Sequence, residues 1–179
     1  LHDEKEENMS NILIAYATAA GSTAQVAEAI GKTLRQGGAT VDVRRAQEVN
    51  DLNGYDAVVL GSGVRAGRTY AQAGAFLATH RAALSALPVA GFVVCLAAKD
   101  RSEASCAEAE GYLDAMFAQA PGVEPVSKGV FAGAIDYARL PWLLGVILKL
   151  LKKEPGGDYR DWDAIQEWAT GLPSTLGVA

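Results

Sequence analysis

Apolar and polar positions fall into blocks that switch between two periods along the chain. Residues 11–17 (NILIAYA) form a short, nearly continuous apolar run, as expected of a strand buried on both faces. Residues 22–35 then space Val26, Ala29, Ile30 and Leu34 at helical intervals, and Gly37-Gly38 closes that helix. Residues 40–44 (TVDVR) alternate and predict a half-exposed edge strand. Residues 57–60 (AVVL) predict a third, buried strand, running into a glycine-rich loop from Gly61 to Gly67. A second helix is predicted over 70–87 before Pro88, a fourth strand over 89–98 and a third helix over 103–119 before Pro121-Gly122. Residues 126–135 predict a fifth strand and 162–170 a closing helix.

This alternation predicts one α/β domain: a three-layer, doubly wound, five-stranded parallel sheet with helices on both faces. Ligands of such sheets sit at the carboxyl ends of the strands, near the point where the strand order reverses. The loops after strands one, three and four are therefore the places to look. Residues 136–160 break the pattern, being too long for an ordinary connection. They contain LPWLLGVILKLLKK at 140–153, in which Lys149, Lys152 and Lys153 share one helical face and Leu143, Leu144, Ile147, Leu148 and Leu151 fill the other. This is read as an insertion between the fifth strand and the last helix.

Charge sharpens that division. The net charge of −5 disfavours non-specific nucleic-acid binding. Residues 1–8 hold Asp3, Glu4, Glu6 and Glu7 against Lys5 and are read as an extension or expression remnant ahead of Met9, with the domain over 9–179. Between Lys128 and Lys153, by contrast, five basic residues meet one acid. Cys95 and Cys106 give neither a disulfide framework nor a metal-ligand spacing, and His2 and His80 are too few for a histidine metal site. No run approaches the roughly 20 apolar residues of a membrane span, and no signal peptide is evident. A cytoplasmic location is expected.

The first loop, Thr18, Ala19, Ala20, Gly21, Ser22 and Thr23, runs straight into a helix. Small residues let its amides converge, the helix N-terminus adds positive potential, and the hydroxyls of Thr18, Ser22 and Thr23 can donate. With no lysine or arginine, it suits a phosphate monoester held by neutral donors; alternatively Ser22 or Thr23 simply caps the helix. Gly31-Lys32-Thr33 is not a P-loop, because Val26 stands where the first glycine belongs and the segment lies within the helix. Gly61, Gly63 and Gly67 follow the third strand rather than the first, against a dinucleotide fingerprint.

Tyr16 to Thr23 resembles the phosphate loop of flavodoxins, usually Ser/Thr-x-Thr-Gly-x-Thr, and Leu52 to Ser62 resembles the approach to that superfamily's third strand. The third loop, Gly61-Ser62-Gly63-Val64-Arg65-Ala66-Gly67, together with Phe131-Ala132-Gly133-Ala134-Ile135-Asp136-Tyr137 introducing an insertion that ends near Asp161-Trp162, is similar to the flavodoxin-like, menaquinone-dependent protoporphyrinogen oxidases. The resemblance spans residues 11–168 and implies the strand order 2-1-3-4-5 and bound FMN. It implies that Thr18, Ala19, Ala20, Gly21, Ser22 and Thr23 hold the phosphate. Ser62, Gly63, Val64, Arg65, Ala66 and Gly67 would border one edge of the ring system, and Leu96, Ala97, Ala98 and Lys99 the other. Two departures stand out. Ala20 replaces a usual threonine, and neither ring border carries a tryptophan or tyrosine, leaving the flavin face open to a stacked substrate. The opening of the insertion, 136–142, is also less basic and aromatic than protoporphyrinogen oxidation would lead one to expect.

The resemblance thus implies an FMN-dependent oxidoreductase acting on a quinone or a porphyrinogen-like substrate. The alternatives are an electron-transfer flavodoxin without its own substrate and a flavin-free interaction module. Arg65 and Arg68 are either guides for an anionic substrate or solvated charges, and Lys99, Asp100 and Arg101 read as an exposed turn. Tyr137 and Trp142 either line a pocket or pack the insertion. The segment 140–153 covers a sheet edge, forms a homodimer contact or lies on a membrane surface; its apolar stretch, about 18 Å long, is too short to span. No general acid or base is evident.

Overall fold

The computed structural model describes residues 9–135 and 157–178. Five parallel strands form the centre: β1 (Asn11–Ala17), β2 (Thr40–Arg45), β3 (Ala57–Arg65), β5 (Val89–Cys95) and β6 (Ser127–Ala132). Their order is β2-β1-β3-β5-β6, with a short β4 (Arg68–Thr69) folded antiparallel onto β3. Counting the parallel strands alone, this is the expected 2-1-3-4-5, with the reversal between β1 and β3.

The apolar alternation within β1 explains the layers. Leu13, Ala15 and Ala17 face one side, where Phe76 and Leu77 of α2 (Ala71–Thr79), Leu84 of α3 (Arg81–Leu84) and Leu113, Met116 and Phe117 of α4 (Glu103–Phe117) close the core. Ile12 and Ile14 face the other, under Val26, Ile30 and Leu34 of α1 (Ser22–Gln36) and Ile165, Ala169, Leu172 and Leu176 of α5 (Trp162–Leu176). Each fully buried leucine, isoleucine or phenylalanine contributes about 1.5–3 kcal/mol, so a sheet covered on both sides carries most of the stability.

Several boundaries differ from expectation, each for a physical reason. The third strand runs on through Gly61, Ser62 and Gly63 to Arg65, so Gly61 to Gly67 is not a loop. Gly61 lies in the strand because the Phe92 ring packs onto it; a Cβ there would stand 2.0 Å from the ring's Cζ. The fourth predicted strand stops at Cys95, and Leu96–Asp100 forms a 3₁₀ turn. The helix expected over 70–87 divides at His80, whose ring is buried with Nε2 3.3 Å from the Val49 carbonyl. The closing helix passes Thr170 and Pro173 to Leu176, since Leu172 and Leu176 continue its buried stripe. The strand expected over 126–135 divides into β6 and a separate β7 (Ala134–Ile135), which pairs antiparallel with β8 (Gly157–Asp158).

That last pairing brings together the two ends of the insertion. Residues 136–156, with Tyr137, Trp142 and the lysines of 140–153, lie outside the described residues, as do residues 1–8. No described helix is long and apolar enough to cross a membrane.

Candidate functional site

Register brings the carboxyl ends of four strands together. Ala17 of β1 stands beside Ser62 of β3, Gly63 beside Val94 of β5, and Cys95 beside Ala132 of β6. The loops that follow therefore share one edge of the sheet, next to the strand-order reversal.

After β1 the chain turns through Thr18, Ala19 and Ala20 to Gly21, which enters α1 at φ 91°, a left-handed conformation that glycine adopts without strain. The Gly21 amide donates to Thr18 Oγ1 at 3.1 Å, curling the loop, and the Gln25 amide closes the first turn onto the Gly21 carbonyl at 3.2 Å. Among the described residues no side chain caps this helix, no acid lies in its first turn, and neither Ser22 nor Thr23 plays the capping role. The first-turn amides have no intrahelical partner and point outward with the positive end of the helix dipole. Thr23 is fully buried, and its Oγ1 has no hydrogen-bond partner among the described residues. Gly63 makes room for it: a Cβ at that position would stand 2.9 Å from both Thr23 Oγ1 and Tyr70 Cε2. An uncapped helix start with an orphaned hydroxyl beside it fits a phosphate held by neutral donors.

After β3 the chain makes a two-residue hairpin. Ala66 at φ 50° and Gly67 at φ 72° form the tip, and Arg65 pairs directly with Arg68 across it. Ser62 is consumed by this turn: its Oγ donates to the Gly63 carbonyl at 2.8 Å and accepts the Tyr70 amide at 3.0 Å. Ser62 and Gly63 are therefore buried beneath the edge, whereas Arg65, Ala66 and Gly67 are exposed and Val64 is partly so. No aromatic residue stands in the hairpin, but Tyr112 of α4 approaches Gly67, its Cε1 3.9 Å from where a Cβ would lie.

After β5, Leu96 and Lys99 are exposed, Ala97 is half-buried and Ala98 is buried. Burial pushes the Cys95 thiol pKa up, against the pull of hydrogen bonds from the Ala98 and Ala97 amides. Asp100 is held below the usual carboxylate range by hydrogen bonds from Ser105 and from Ser102. The turn is exposed as expected at Asp100 and Arg101, yet two of its cations are partnered. The Lys99 ammonium lies 5.9 Å over the Tyr159 ring, and Arg101 pairs with Asp161.

Those partners belong to a segment that sequence reasoning did not select. Tyr159, Arg160 and Asp161 follow β8, and the Tyr159 amide donates to the Gly133 carbonyl at 3.2 Å. Arg160 grips Asp158 through two bonds of 2.7 and 2.6 Å, lies 4.6 Å over the Trp162 ring and reaches Gln25 of α1. The Asp161-Trp162 pair was the only visible signal. Among the described residues, no cluster of three His, Cys, Asp or Glu side chains suits a metal.

A doubly wound parallel sheet with an uncapped helix start at its switch point defines the class: a flavodoxin-type α/β domain. The chain belongs to the flavodoxin domain family, whose profile matches residues 13–161. It is 27% identical over 167 residues to a protoporphyrinogen IX dehydrogenase (quinone) of Escherichia coli K12, covering 88% of this chain and 91% of that one. A Leishmania major protein of the same name is 29% identical over 169 residues, covering 88% and 72%. Among solved structures, a flavodiiron core from Synechocystis sp. PCC6803 superposes with a TM-score of 0.61 at 18% identity, covering 97% of this chain, which spans 38% of that one. The family assignment indicates flavin binding.

Proposed function

We propose that the chain is an FMN-dependent oxidoreductase whose second substrate is a quinone or a porphyrinogen-like reduced ring compound. The observation that carries the reading is the start of α1, free of acids and, among the described residues, uncapped, with the buried Thr23 hydroxyl unpaired beside it. In the proposed complex the amides of the first turn and the hydroxyls of Thr18, Ser22 and Thr23 bind the phosphate. The exposed Val64, Arg65, Ala66 and Gly67 would line one border of the ring system, and Leu96, Ala97, Ala98 and Lys99 the other. Ser62 and Gly63 would act from beneath, by shaping the hairpin. Bound FMN supplies the electron-accepting chemistry, and the protein supplies binding and orientation.

The relatives' names support the substrate class, and so do ring borders without a tryptophan or tyrosine of their own. Arg65 and Arg68, side by side on the hairpin, would orient an anionic substrate. Their like charges repel across the turn, so a bound anion would relieve an unfavourable pairing. Contact of 140–153 with a membrane surface would bring the site to a lipid-dissolved quinone. Binding of anionic vesicles that disappears on replacing Lys149, Lys152 and Lys153 supports that contact.

The test is reconstitution with FMN, followed by steady-state turnover with a quinone acceptor. A yellow protein that turns over supports the reading. Failure to bind FMN overturns it in favour of a flavin-free module, and flavin binding with single-electron exchange alone favours an electron-transfer flavodoxin.

A further inference from the structure

The start of α1 poses a mechanical question. Helices α4 and α5 open on their own caps: Ser102 Oγ accepts the Ser105 amide at 3.1 Å, and Asp161 Oδ1 accepts the Ala164 amide at 3.0 Å. A cap fixes the first turn but occupies the amides that an anion would need. Helix α1 has none, so its first turn needs support that leaves those amides open.

Arg160 provides it from the side. Its guanidinium is locked in a two-bond fork on Asp158 and lies on the Trp162 ring, and the side chain is only 11% exposed, so its orientation is set before it meets α1. The remaining nitrogen, Nη1, donates to Gln25 Oε1, 135 residues away in the chain. Gln25 is the fourth residue of α1, and its own amide closes the first turn onto Gly21. On either side of Arg160, Tyr159 meets Lys99 and Asp161 meets Arg101, both at the turn after β5. Three consecutive residues thus tie the loop after β5 to the helix after β1.

We propose that Arg160 is a positioning residue for the phosphate loop, holding the first turn of α1 through Gln25 while its amides stay available to the phosphate. The inference rests on the FMN reading above. It separates two parts of flavin affinity. Arg160 acts on the phosphate end, so its loss weakens FMN and leaves riboflavin, which lacks the phosphate, nearly unaffected. A residue that merely stabilised the fold would lower both affinities together.

The experiment measures dissociation constants for FMN and riboflavin by flavin fluorescence quenching on the full chain. Two variants attack the contact from opposite ends: Arg160→Ala, and Gln25→Leu, which removes the acceptor while leaving the Asp158 fork intact. Each is expected to weaken FMN about tenfold, the scale of one charge-assisted hydrogen bond, and riboflavin by less than about twofold. The double variant is expected to match Arg160→Ala alone, because both changes break the same contact. Equal loss for the two flavins, or unaltered FMN binding in both variants, overturns the inference and leaves the cofactor reading standing. An unaltered protein that binds no FMN overturns both.

Discussion

Helices α1 and α4 both start at the carboxyl edge of the sheet, one after β1 and the other after β5, yet their first turns are finished in opposite ways. At α4, Ser102 caps the helix, Asp100 accepts from Ser102, and Glu103 places a carboxylate in the first turn. At α1 the first turn has no acid, and among the described residues there is no cap and no partner for the buried Thr23 hydroxyl. Outward-facing amides without a cap stay open to water or to an anion, so the difference marks the start of α1 as the place where the proposed phosphate would bind. One helix start is complete within the protein. The other keeps its first-turn amides open to the proposed phosphate.

The largest test adds to α1 what α4 already has. Ser22→Asp puts a carboxylate at the first helical position, where it favours the helix dipole by about 0.3–1 kcal/mol in the flavin-free protein. The same charge repels a phosphate, and FMN affinity is expected to fall about a hundredfold, roughly 2.7 kcal/mol. Thermal melting of the apoprotein and flavin titration should therefore move in opposite directions. A variant that binds FMN normally would show that the phosphate is not held at this helix.

Thr23→Val makes a subtler exchange, replacing the hydroxyl by a methyl of the same shape. An unpaired buried hydroxyl costs about 1–3 kcal/mol, so the apoprotein is expected to melt higher by the lower end of that range. FMN affinity should drop about tenfold with the loss of one donor. Lower apoprotein stability with intact FMN binding would mean that the hydroxyl is satisfied within the fold.

How much of this was legible in the sequence depended on whether the cause was local. The strand centres were readable because residues such as Val58, Val59, Val93 and Val94 are apolar on both faces of a sheet that helices cover twice. The turn from β1 into α1 was readable because its small residues and the glycine at φ 91° are contiguous. The hairpin was not. Gly61 and Gly63 read as loop glycines, but they are strand residues made small by Phe92, Thr23 and Tyr70, contacts that no local window contains. Alternation of Val64 and Arg65 about Ala66-Gly67 was the available signal of a two-residue turn. The closing helix, expected over 162–170, runs on past Gly171 and Pro173 because Ala169, Leu172 and Leu176 keep a buried spacing. Arg160 was hidden most completely, since its partner Gln25 is far away in the chain.

On the capped side the expected effects separate the other way. Ser102→Ala removes the α4 cap and is expected to cost about 1 kcal/mol, read as a fall in melting temperature. FMN affinity should stay the same, because that helix start is already complete without a ligand. A matching loss of FMN affinity would make the two helix starts equivalent and undo the contrast.

The smallest expected effect concerns the loop leading into α4, which turns the Ala97 and Ala98 amides toward the thiol of Cys95. Those hydrogen bonds favour the thiolate, but burial outweighs them, and the folded pKa lies above that of the unfolded thiol. Folding thus retains a proton that the unfolded chain releases in alkali. The stability linked to Cys95 is fully present below the ordinary thiol pKa and is lost as pH rises through the folded value. Denaturant unfolding across the alkaline range should show this decline, and Cys95→Ala should flatten it. In mildly alkaline solution a maleimide should label the partly exposed Cys106 well before the buried Cys95. Labelling of Cys95 at the rate of Cys106 would show that its proton leaves readily, and that the amides after β5 stabilise an anion as those of α1 are expected to do.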